Sequence, residues 1–139
     1  MNAFEFRERG TSGVDGQTED LAERAIGAMI EVHKHLGPGL PEVAYRRAVE
    51  HEFQLCGIPF QREVPIRIED KGKVVADCRI DLLVGGALIV ELKVVETLNE
   101  VHRAQLLSYL RATKLQLGLL VNFNVTLLRN GVNRVINTT

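Results

Sequence analysis

An apolar stretch in the middle of the chain carries charges where charges are costly. Asp81-Leu-Leu-Val-Gly-Gly-Ala-Leu-Ile-Val-Glu91-Leu-Lys93 reads as two short strands joined at Gly85-Gly86. Residues 87 to 95 are apolar at nearly every position, so both faces of the second strand should be covered by protein. Period-2 alternation puts Ile89, Glu91, Lys93 and Val95 on one face and Leu88, Val90, Leu92 and Val94 on the other. Asp81 lies likewise between Ile80 and Leu82. Charges in such places pair, neutralise or bind a metal.

Loop length decides whether the two acids meet. A two-residue loop at Gly85-Gly86 puts Asp81 opposite Val90 and away from Glu91. A three-residue loop, Gly85 to Ala87, puts Asp81 opposite Glu91 and Arg79 opposite Lys93, and glycines suit the positive φ of such a loop. Carboxylates directly opposite each other repel, and a divalent cation between them removes the conflict. The pattern therefore points to a hard-metal site with a lysine beside it. The plainer alternative is that Lys93 simply pairs with Glu91 or Asp81.

With 139 residues, 45% hydrophobic and 25% charged, the chain is one domain able to bury a core. No apolar run approaches the roughly 20 residues of a membrane helix, and the start has no signal-peptide pattern, so a cytoplasmic location and no membrane are expected. Cys56 and Cys78 lack metal or redox spacing and read as reduced, partly buried thiols. A net charge of −1 gives no global attraction to nucleic acid, so any such contact needs a local basic patch.

In order along the chain, residues 1–17 read as a flexible arm and 18–139 as the folded domain. Thr18 is a candidate N-cap for a helix through Leu21, Ala25, Ala28, Met29, Val32 and Leu36, stopped by Gly37-Pro38. His33 and His35 face differently on it and read as packing or surface residues. A second helix opens at Pro41 and puts Glu42, Tyr45, Val49, Phe53 and Cys56 on one stripe. Glu42 suits a helix N-terminus in any protein, yet it lies on the inward stripe. Phe60 to Glu69 and Lys73 to Val84 form a hairpin around Asp70-Lys71-Gly72, with Pro65 marking an edge strand.

Arg62, Arg67, Lys71, Lys73 and Arg79 make that hairpin the candidate for phosphate contacts, although charge on an exposed strand is also simply a solvated face. Thr97-Leu-Asn-Glu100 reads as a capping box for a helix with Leu98, Val101, Gln105, Tyr109 and Ala112 on one stripe. Leu117 to Phe123 reads as a buried strand, and Asn130-Gly131 as a turn joining Thr126–Arg129 to Val132–Ile136. The fold expected is α/β (α+β): a mixed sheet flanked by helices, with a C-terminal hairpin.

An acid followed on the neighbouring strand by acid-x-Lys resembles the active site of the PD-(D/E)xK nucleases. Gly39-Leu-Pro-Glu42-Val-Ala-Tyr45 resembles the motif of the GxxExxY proteins, small members of that group. Glu31 to Gly39, Asp81 to Val84, Val90 to Lys93, Ala104 to Tyr109 and Gly118 to Asn124 resemble the same family's segments, in order from about Leu21 to Ile136. The resemblance implies a restriction-endonuclease-like fold and Mg²⁺- or Mn²⁺-dependent hydrolysis of a nucleic acid, DNA before RNA. It implies that Asp81, Glu91, the Leu92 carbonyl and Glu42 hold the metal and that Lys93 orients water. It further implies that Gln105 and Tyr109 match the Q-x-x-x-Y element of the RecB-like branch, and that Tyr45 supports Glu42. A non-catalytic module binding nucleic acid or a protein, and a homodimer formed through the terminal strand edge, remain open from the sequence.

Overall fold

The computed structural model describes residues 13–138. Three helices and a five-stranded sheet follow one another as α1 (Gly16–Leu36), α2 (Glu42–Leu55), β1 (Phe60–Asp70), β2 (Lys73–Val84), β3 (Leu88–Lys93), α3 (Glu100–Thr113), β4 (Leu117–Asn122) and β5 (Val132–Ile136). Strand order in space is the order in the chain. β3 and β4 run parallel, joined across the sheet by α3, and every other neighbour is antiparallel. The expected mixed sheet flanked by helices is therefore the observed one.

Two apolar cores lie on the two faces of this sheet. Ala25, Met29, Tyr45, Val49 and Phe53 of α1 and α2 pack with Leu88, Val90 and Leu92 of β3. Leu106, Tyr109 and Leu110 of α3 pack on the opposite face with Ile89, Leu120 and Val135. All of β4 and all but the last residue of β3 are buried, as strands covered on both sides must be. Gly118 of β4 leaves the space that the Leu106 side chain fills. Among the described residues no helix is long and apolar enough to cross a membrane.

The hairpin β1–β2 serves both cores. Phe60, Leu82 and Val84 belong to the α1/α2 side, whereas Val64, Ile66, Ile68, Cys78 and Ile80 belong to the α3 side. Even-numbered residues therefore change face partway along both strands, which regular alternation forbids. The change falls at Glu63 and Asp81, which stand between the pairs Arg62↔Leu82 and Val64↔Ile80 and are not themselves paired. Glu63 has φ +49°, a left-handed conformation that is uncommon outside glycine. Both strands slip together, so the register is kept from Val64↔Ile80 to Ile68↔Ala76 and shifts only at Ile68/Glu69, near the hairpin tip.

Several local expectations shift. The first helix starts at Gly16, and Asp15 rather than Thr18 is its cap, accepting the Thr18 N–H at 2.8 Å. Val14 is buried in the core, and the earlier residues of the expected arm, 1–12, lie outside the described residues. Asn99, not Thr97, caps α3, and His102 returns the bond by accepting the Asn99 N–H. The inward stripe of α3 is set by the bulkier Leu106 and Leu110, which turns Val101, Gln105 and Ala112 outward. Cys56 is exposed, because α2 ends at Leu55. Thr126–Arg129 forms no strand: a 3-10 turn at Leu128–Gly131 leads directly into β5, which pairs with β4.

Candidate active site

The loop Gly85–Ala87 has three residues, since Val84 faces Leu88, Leu83 faces Ile89 and Leu82 faces Val90. Gly85 and Gly86 take φ of +58° and +69°, conformations that glycine adopts without strain. This register brings Asp81 opposite Glu91, where the backbone ladder between β2 and β3 stops. Two crossed bonds replace it. The Asp81 N–H donates to Glu91 Oε2 at 2.6 Å, and the Leu92 N–H donates to Asp81 Oδ2 at 2.9 Å. Each carboxylate is thus held by the backbone of the other strand, and the kink at Glu63/Asp81 opens the gap they occupy.

Burial and like charge act together on these acids. Glu91 is 4% exposed. Loss of water, then the neighbouring Asp81 charge, pushes its carboxyl up to about 8. Burial likewise raises Asp81, against the pull of the Leu92 N–H, Lys93 and Arg46. Glu42 is raised as well, by burial first and by Asp81 second. Lys93 is half-buried, and its charge lowers all three acids. Its backbone carbonyl accepts the Phe123 N–H at 2.9 Å. Just beyond it, Asn122 clasps Val95 by accepting its N–H at 3.1 Å and donating to its carbonyl at 2.8 Å. The end of β3 that carries Lys93 is therefore fixed to β4.

Helix α2 brings Glu42 to this cluster, but Glu42 is exposed at its first turn and does not share the buried stripe of Tyr45, Val49 and Phe53 that the spacing predicts. Pro41 occupies its N-cap position, where a missing N–H costs nothing. Tyr45 is fully buried and stacks on Phe123 with ring centroids 4.7 Å apart. Its hydroxyl donates to the Gly37 carbonyl and accepts the Leu40 N–H, closing the turn that leads into Glu42. Two charged side chains without an obvious signal in the sequence also stand here. Arg46, one helical turn beyond Glu42, lies 3.9 Å from Glu63 and 3.9 Å from Glu50. Glu63 faces Asp81 across β1–β2. The i, i+4 spacing of Glu42 and Arg46 could have suggested the first; the second depends on the kink.

Tyr109 approaches from the other face, and burial first, then the neighbouring Cys78, Glu91 and Asp81, together push its hydroxyl up to about 12. Gln105, one turn earlier, is exposed. The five basic residues of the hairpin are all exposed. Arg62 pairs with Glu50 at 3.6 Å and Arg67 with Asp77 at 3.7 Å. Lys71 and Lys73 stand at the hairpin tip; Lys73 is eight residues from Asp81, roughly 26 Å along the strand.

A buried carboxylate, Glu91, and a half-buried one, Asp81, repel each other beside a lysine, and together they have the oxygen chemistry that a hard divalent cation takes. Among the described residues, no three His, Cys, Asp or Glu side chains are gathered into a ready ligand shell. The crossed pair Asp81 and Glu91 could supply side-chain oxygens to a cation. No curated protein and no solved structure matches the chain. Residues 19–135 match the sequence model of one family, and that span holds Glu42, Asp81, Glu91 and Lys93: the chain belongs to the PD-(D/E)XK nuclease superfamily.

Proposed function

We propose that the protein is a metal-dependent nuclease of the GxxExxY group, hydrolysing phosphodiester bonds of a nucleic acid, with DNA the first choice before RNA. The observation that carries this reading is the crossed pair Asp81–Glu91 with Lys93 two residues along the same strand. Asp81, Glu91 and the Leu92 carbonyl would hold Mg²⁺ or Mn²⁺, with Glu42 reaching it directly or through water. A cation bound there supplies Lewis acidity toward a phosphate oxygen and a water of lowered pKa.

Each side chain then has a distinct task. Lys93 orients the attacking water and balances negative charge that develops on the phosphate. Tyr45 holds the turn that places Glu42, and Tyr109 backs Glu91 from the α3 side. Gln105, exposed one turn from Tyr109, is placed to meet the substrate. Arg62 and Arg79, close to Asp81 along the hairpin, are better sited for phosphates beside the cut than Lys71 and Lys73, which would reach a more distant part of a long strand.

Lys93→Ala tests the assignment. Cleavage of a mixed set of DNA and RNA substrates should fall by at least about 100-fold, as expected when a group acting in the transition state is removed. Binding of Mn²⁺ should persist. Cleavage at the wild-type rate would remove Lys93 from the mechanism.

A further inference from the structure

The site is rich in acids: Glu42, Asp81 and Glu91 act on one another electrostatically, Glu63 acts on Asp81, and Glu50 stands beside Arg46 on α2. A polyanion approaching it needs a cation beside the carboxylates as well as Lys93. Arg46 is in that place. It lies one turn from Glu42 on α2, and its charge lowers both Glu42 and Asp81. Its side chain is 26% exposed, so its donors can be reached from solvent.

Its bonding is incomplete. The contacts to Glu50 Oε2 and Glu63 Oε1 are both 3.9 Å, beyond hydrogen-bond length. Glu50 Oε2 is itself buried without a hydrogen-bond partner. Glu63 is turned to φ +49° directly across from Asp81. The guanidinium is therefore flanked by two acids that orient it and leave its N–H fork unsaturated, and that fork suits a phosphate better than a point charge would.

We propose that Arg46 is a substrate-positioning residue whose guanidinium takes a phosphate of the nucleic-acid strand next to the one cleaved, with Glu50 and Glu63 fixing it from behind. This rests on the nuclease reading above. It adds a contact on α2, outside the hairpin's basic residues.

The test is binding of a labelled DNA duplex and of its single strand by the full chain carrying Lys93→Ala with Mg²⁺ present, measured by fluorescence anisotropy over a range of salt. Adding Arg46→Ala should weaken binding and lower the slope of log affinity against log salt by about one, the loss of one phosphate contact. Arg46→Lys should restore the slope and only part of the affinity. A drop in melting temperature with affinity and slope unchanged would overturn the inference, leaving Arg46 a purely structural bridge and the nuclease reading intact. Failure of the parent protein to bind either probe would overturn both.

Discussion

Glu91 makes the folded protein less stable as pH rises, and the direction of that effect is testable. Its carboxyl is raised on folding from an ordinary value of 4.5 to about 8. Below the lower value both folded and unfolded chains hold the proton, and no penalty arises. As pH rises between the two values, the unfolded chain releases its proton first, so stability falls; above about 8 the penalty is complete. Unfolding free energy measured with denaturant should decline across that window without divalent cations, and Glu91→Gln should flatten the decline. Parallel pH profiles for the two proteins would show that Glu91 carries no such penalty. At this scale the core of the site is legible from sequence, because a charge inside an apolar strand demands a partner. Arg46 and Glu63 are not legible in the same way: both lie in segments rich in charge, and only the kink beside Asp81 gives Glu63 its place.

The elements that carry these residues are held by close backbone approaches. Gly131 packs so tightly on the Asn122 carbonyl that a Cβ there would overlap it. Asn122 in turn clasps Val95 beyond Lys93. Gly131→Ala should therefore cost about 3 kcal/mol in denaturant unfolding and also disturb Lys93, since forced overpacking shifts backbone rather than a side-chain tip. Gly118→Ala meets only the Leu106 side chain and should cost less, about 1 kcal/mol. If the two variants unfold alike, the β4–β5 connection does not support the site as described. The continuous apolar runs of β3 and β4 identify buried strands directly. The α3 stripe does not read as directly, because two overlapping i, i+4 series exist and the bulk of Leu106 and Leu110, not spacing alone, decides which faces inward. The segment before Gly131 reads as a strand by composition, yet β5 takes the one free side of β4 and leaves that segment as a 3-10 turn.

Across the whole molecule, the sheet is closed at one side by an ion pair between its first helix and its last strand. Glu19 and Arg134, 115 residues apart, meet at 2.6 and 3.1 Å with both side chains 8% exposed. Glu19→Gln or Arg134→Met alone should destabilise the protein by about 3–5 kcal/mol, because each strands a buried charge. Exchanging both for apolar residues should recover most of that loss, and a double variant as unstable as the singles would contradict it. The overall architecture was open to reading from the order of helices and strands, whereas this pair was not, since nothing local relates residue 19 to residue 134. The central claim remains that Asp81 and Glu91 form a cation site. Calorimetric titration of the full chain with Mn²⁺ at a pH above the Glu91 transition tests it most directly. Saturable binding in the wild type that disappears in Asp81→Asn is the predicted result, and identical titrations for the two proteins would contradict it.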